Sequence, residues 1–265
     1  MGPQLQWRLP APPLQPFVRG YWMLDAPTVE GQVQRYLPGA PVSWIFSLLP
    51  AGEVVFEGEH SAQPQAALVG VLRGPCLARA RGRTRNIGVA FEAGAASPFH
   101  RLDLSTTDRG LVDLEGVSDP GLRDLSRRLR SVESLPEAGR LIDSELLGRL
   151  ADAQPTRLGR DIVALVERGR VADLRQLSDE TGYSQRQVRR IVRNEVGTTP
   201  KLLIRIARMR AAISALKTSA DDLTTLAHRL GYCDHGHFSR DFRRLVGQSP
   251  SEFRGERRVL PELFE

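Results

Sequence analysis

LRQLSDETGYSQRQVRRIVRNEVGTTP, residues 174–200, returns in altered form as LTTLAHRLGYCDHGHFSRDFRRLVGQSP, residues 223–250. Gly182-Tyr183 matches Gly231-Tyr232, Val188 and Val192 match Phe238 and Phe242, Val196-Gly197 matches Val246-Gly247, and Pro200 matches Pro250. One extra residue in the second turn moves the offset from 49 to 50. Two copies are too few for a solenoid, which needs at least three to bury its faces. Each copy reads instead as helix, tight turn, helix. In the first, Leu174 and Leu177 form a short apolar face, Ser178 is small enough for close approach, and Gly182 ends the helix. Ser184 then caps a second helix that carries Val188, Ile191 and Val192. The second copy supplies Leu223, Leu226, Ala227 and Gly231, then Asp234 as cap and Phe238 and Phe242 as the apolar face. This is the layout of a helix-turn-helix, whose second helix lies in a DNA major groove.

The outward positions of the second helices carry the chemistry. The first offers Gln185, Arg186, Gln187, Arg189, Arg190 and Arg193; the second offers His235, His237, Ser239, Arg240, Arg243 and Arg244. Arginine pairs with guanine O6 and N7, and glutamine with adenine. Between the copies, Leu202, Ile206, Met209, Ile213 and Leu216 fall on one helical stripe. Its 17 or so residues make a rod of about 26 Å. Such a rod can set two reading helices about one DNA turn apart, ~34 Å, once their own offsets are added.

The 265 residues carry a formal net charge of +6, which is mild until it is divided. Residues 1–155 hold 16 Arg against 17 Asp and Glu, whereas residues 156–265 hold 21 Lys and Arg against 14 Asp and Glu. The whole excess lies with the repeat, as expected where a domain meets a polyanion.

The N-terminal half has a different texture. Trp7, Trp22 and Trp44 lie there, among short apolar runs separated by Gly and Pro: 18–24, 33–37, 42–48, 53–56, 66–71 and 87–91. Several short strands at this spacing predict an antiparallel sandwich or barrel. Leu122, Leu125 and Leu129, then Leu141, Leu146, Leu147 and Leu150, predict trailing helices. The segment Ala151–Thr156, with its proline, marks the boundary. The expected organisation is α+β in two domains. A β-rich, barrel or sandwich-like (cupin-like) regulatory domain spans 1–152, and an all-helical reader spans 158–258. The reader is placed with its first helix-turn-helix at about 173–194, its linker helix at about 200–217 and its second helix-turn-helix at about 222–245.

Residues 158–256 resemble the tandem helix-turn-helix domain of the AraC/XylS transcription regulators, most strongly at HFSRDFRRLVGQSPSEFR (237–254) and at GYSQRQVRRIVRNEVGTTPKLL (182–203). By that resemblance Arg186, Arg189 and Arg190 face bases from the first unit, and His235, Gly236, His237 and Arg240 occupy those positions in the second. Gly236 has no side chain to read with. Ser184, Gln187, Arg193, Lys201, Ser239 and Arg244 are expected on phosphates. The N-terminal half is similar to the β-rich sensor domain found in a subset of these regulators, at YW (21–22), YLP and VSWIF (36–46), LVGVLRGP (68–75) and GVAFEAGAA (88–96). Ser43-Trp44 stands where such relatives carry an acidic residue. The resemblance implies a transcription regulator with double-stranded DNA as partner. RNA polymerase, a small-molecule effector and a second copy of the chain are its further candidates, and control by a protein partner in place of a ligand is the alternative reading of the N-terminal half.

Trp22, Tyr36, Trp44 and Phe46 either line an effector pocket or fill the core. Cys76, between Pro75 and Arg79, admits an alternative reading as a DNA-targeted alkyl-transfer or redox thiol; a buried structural thiol is the simpler assignment. His235 and His237 lack a third ligand nearby, so no metal is expected. No catalytic constellation or cofactor motif is present, and no enzyme is expected. The alternating Arg79, Arg81, Arg83 and Arg85 are assigned to a solvated strand edge. The N-terminal sequence has no leader pattern, and no run approaches 18 apolar residues, so a cytoplasmic protein without a membrane span is expected.

Overall fold

The computed structural model describes residues 4–27, 33–39, 41–56, 58–80, 82–100, 102, 111–153, 157–169, 171–219 and 221–255. The six apolar runs become strands, and four more strands join them: β1 (Gln4–Arg8), β2 (Val18–Ala26), β3 (Val33–Tyr36), β4 (Ser43–Ser47), β5 (Glu53–Phe56), β6 (Glu59–Ala62), β7 (Ala66–Val69), β8 (Cys76–Arg79), β9 (Thr84–Phe91) and β10 (Leu111–Asp113). They form two antiparallel sheets, one of order β1-β2-β9-β4-β7-β10 and one of order β3-β8-β5-β6. The central strands of the larger sheet read as unbroken apolar runs because both of their faces are covered. One face presents Tyr21, Met23, Trp44, Phe46, Ile87, Val89 and Phe91 to the helices α1 (Pro120–Leu129) and α2 (Leu135–Asp152), through Leu122, Leu125, Ile142 and Leu146. The other face presents Trp22, Ile45 and Ala90. Between the sheets lie Val54, Phe56, Leu72 and Cys76, with Tyr36, Val69 and Leu111 against them. Gly88 is required by the neighbouring indole, since a Cβ there would stand 1.9 Å from the Trp22 ring.

The Arg79–Arg85 run does not behave as one strand face. β8 belongs to the smaller sheet and β9 to the larger, and the chain turns between them at Gly82, whose φ is +79°. Arg79 and Arg85 therefore lie on strands of different sheets, while Arg83 forks onto Asp25 at 2.7 and 2.8 Å. Alternation over four residues cannot distinguish a strand from two strand ends and a turn. Residue 81 lies outside the described residues.

The C-terminal half is helical: α3 (Leu158–Glu167), α4 (Leu174–Thr181), α5 (Gln185–Ile191) continued by a π-helical turn (Val192–Val196), α6 (Pro200–Thr218), α7 (Leu223–Arg229), α8 (His235–Val246) and α9 (Pro250–Gly255). On either side of the assigned boundary, α2 runs through Asp152 and α3 starts at Leu158; residues 154–156, like 256–258 at the assigned end of the reader, lie outside the described residues. Both units share one core built on α6, with Leu203, Ile206, Met209, Ile213 and Leu216 buried against Leu177, Val188, Leu226, Phe238 and Phe242. The β-rich half reaches into that core. Val71 is buried in it, and Leu37 and Ala93 pack against it. Gly94 and Gly159 bring the two backbones together, since a Cβ on Gly94 would stand 2.7 Å from the Gly159 carbonyl carbon.

Candidate nucleic-acid interface

Each reading helix is aimed by its turn and its cap. Gly182 ends α4 in the left-handed region, at φ +70°, and the Ser178 hydroxyl donates to the Tyr183 carbonyl at 2.5 Å, which tightens the turn. Ser184 then caps α5: its Oγ accepts from the Gln187 amide at 3.3 Å, and Gln187 Oε1 accepts from the Ser184 amide at 2.9 Å. With Val188 and Ile191 drawn into the core, Gln185, Arg186, Gln187, Arg189, Arg190 and Arg193 are left exposed. Lys201, in the first turn of α6, is exposed as well.

The second unit repeats the scheme with Asp234, whose carboxylate accepts from the His237 amide at 2.6 Å. That amide holds the Asp234 carboxyl below the usual range, so the cap stays charged. Phe238 and Phe242 are buried, which leaves His235, His237, Arg240, Arg243 and Arg244 exposed and Ser239 half-buried. The His237 ring meets Tyr232 edge-on at 5.2 Å between centroids, and His235 Nε2 lies 3.2 Å from Ser239 Oγ.

The one acid within either helix faces inward. α5 contains none, and the single acid of α8, Asp241, turns to α6, where Arg205 Nε donates to it at 2.8 Å. Tyr232 donates its hydroxyl to the other Asp241 oxygen at 3.0 Å. The outward surface is therefore basic and uncompensated by its own helices, as readout of phosphate and guanine requires. Arg205, Tyr232 and Asp241 are the functional residues the sequence reading missed. They fasten α8 to the linker helix. Their one signal in the sequence is a lone acid on an otherwise basic helix.

The N-terminal candidates are not brought together. Trp44 and Phe46 share the face toward α1 and α2, with ring centroids 6.5 Å apart. Trp22 lies on the opposite face of that sheet, and Tyr36 lies on the smaller sheet. Cys76 is buried, and burial pushes its thiol up to about 11, so it is a poor source of thiolate. Among the described residues, no group of three or more His, Cys, Asp or Glu side chains is placed to hold a metal ion. No described helix is long and apolar enough to cross a membrane.

Comparison with known proteins agrees with this geometry. A helix-turn-helix domain model matches residues 177–256. Over 78 residues, or 29% of this chain, the sequence is 33% identical to the HTH-type transcriptional activator RhaS of Pectobacterium atrosepticum. The chain carries a helix-turn-helix domain. The RhaS activator of Escherichia fergusonii is 35% identical over a stretch of the same length, and both matches span 28% of the relative's own length. Ahead of the helix-turn-helix domain, a domain of unknown function, DUF6597, matches residues 6–112. Among solved structures, ToxT from Vibrio cholerae is similar over 88% of this chain and 97% of its own, at 12% identity and a TM-score of 0.48.

Proposed function

We propose that the chain is a cytoplasmic, sequence-specific DNA-binding regulator of transcription and not an enzyme, with residues 1–152 as its regulatory domain and 158–258 as its reader. The observation that carries the reading is the pair of capped, exposed basic helices held on one core, with the only acid of either helix turned inward. The domain first meets DNA through phosphate attraction, then reads bases with two major-groove helices. Arg186, Arg189, Arg190, His235, His237 and Arg240 face base edges; Ser184, Gln187, Arg193, Lys201, Ser239 and Arg244 face phosphates. Double-stranded DNA is the first partner, with RNA polymerase and a second copy of the chain as the protein partners such a regulator engages. A small molecule acting on the N-terminal half modulates the reader through the Gly94–Gly159 joint and the Val71 contact. The named activity of the RhaS relatives supports this reading.

The test is Arg190→Ala on DNA selected from a random pool by the wild-type chain. It loses roughly 1–3 kcal/mol on that site and much less on unselected DNA. Equal losses on both would mean that Arg190 touches backbone only.

A further inference from the structure

A cavity of about 680 Å³ opens where the two halves meet, lined among others by His100, Asp119, Glu145, Arg149, Asp152 and Glu195. That volume suits a small ligand, and the site lies apart from the aromatics of the sheets. Its charge is already partly assigned. Arg149 donates to both oxygens of Asp119 at 2.8 Å and to Glu145 at 2.8 Å. An anionic ligand would have to strip that guanidinium from two carboxylates. Asp152 and Glu195 have no ion-pair partner among the described residues. Glu195 accepts from the Gly159 amide at 2.8 Å, and Asp152 is the last residue of α2, where the helix carbonyls add negative potential.

The second observation is His100. It is 6% exposed, and neither ring nitrogen has a hydrogen-bond partner among the described residues. Burial pushes its imidazole down to about 4, with the Leu102 backbone opposing without a bond of normal geometry. The ring is therefore neutral at ordinary pH and keeps a lone pair to offer. A buried acceptor without a donor is costly unless something supplies one.

We propose that this cavity binds a small organic cation bearing N–H donors, an alkylamine or guanidine, with Asp152 and Glu195 taking its charge and His100 accepting one of its hydrogen bonds. Glu195 sits in the π-helical turn directly after α5, so a cation held between it and Asp152 ties the first reading helix to the regulatory half. The proposal rests on the reading of the N-terminal half as a regulator and names that regulator's ligand class and seat.

The experiment titrates the full chain with agmatine, spermidine and butylamine, with butyrate as control, and follows Tm and binding heat. At least one cation gives a saturable Tm rise of about 3–8 °C and butyrate gives none. The D152N/E195Q variant binds that cation at least about tenfold more weakly. D152N alone, which leaves the Glu195–Gly159 bond in place, weakens it in the same direction. No saturable response to any of the three cations, an equal response to butyrate, or undiminished affinity in both variants overturns the proposal. Affinity for the selected DNA, measured with and without the cation, separates the two readings. Variant-sensitive binding that leaves DNA affinity unchanged keeps the site and sinks the regulatory role. A different metabolite that shifts DNA affinity equally in wild type and variant keeps the role and sinks the site.

Discussion

Ser184 caps α5 through the Gln187 amide, and it also opens the exposed basic helix where a DNA phosphate would lie. The two duties separate by substitution. Ser184→Ala loses the cap and about 1 kcal/mol of stability in a denaturant melt. Ser184→Asp keeps a capping oxygen but aims a negative charge at the phosphates, so it melts like the wild type and binds DNA more weakly. Native affinity in Ser184→Asp would place the hydroxyl away from the backbone of the DNA. At Gly88 the constraint is steric. Gly88→Ala forces a methyl into the Trp22 ring and lowers stability by roughly 1–3 kcal/mol, read from the same melt. Ser184 and Asp234 were legible as caps because a cap is local, three residues deep. Gly88 was not, because the ring that forbids its side chain lies on another strand.

Arg149 joins elements rather than neighbours. From the last turn of α2 it grips Asp119, the cap of α1, and reaches the Phe99 carbonyl at 3.2 Å. Hydrogen bonds from Arg149 hold the Asp119 carboxyl down to about 2, below the ordinary carboxylate value of about 3.9. A carboxylate depressed on folding stabilises the fold fully above its unfolded pKa and loses that contribution as pH falls through the folded one. The Arg149 clamp is therefore at full strength above about pH 4 and fails between about pH 4 and 2. Arg149→Gln lowers stability at neutral pH on the order of 2–3 kcal/mol and flattens the acid limb of a stability-against-pH curve; an unchanged acid limb would assign acid sensitivity elsewhere. Separation along the chain also decided which elements could be read. The helix pairs were legible because their apolar residues recur every three or four positions and their turns need glycine. The sheet pairing was not. With both faces of the larger sheet buried, strand alternation is erased, and β1, β6 and β10 carry too little apolar sequence to announce themselves. The same loss explains why Trp22 and Trp44 could be imagined in one pocket when they lie on opposite faces of one sheet.

At the scale of the whole molecule, a near-neutral half is fastened to a strongly basic one, and the basic half alone should set the response to salt. Binding should weaken linearly on a log–log plot against salt concentration. Lys201→Ala should lower that slope by about one and weaken selected and random DNA alike. A slope unchanged in this variant would remove Lys201 from the phosphate contacts. The division of charge was visible in the sequence; how the halves touch was not, because Val71, Gly94 and Gly159 are ordinary residues until the fold brings them together. Gly94 and Gly159 leave no room for a side chain on either backbone, and Gly94 holds φ at +72° besides. This joint limits how the protein can be recombined. An N-terminal half grafted from another chain would have to bring a glycine to the Gly94 position, or the seam would be wedged open and the two halves would lose their register.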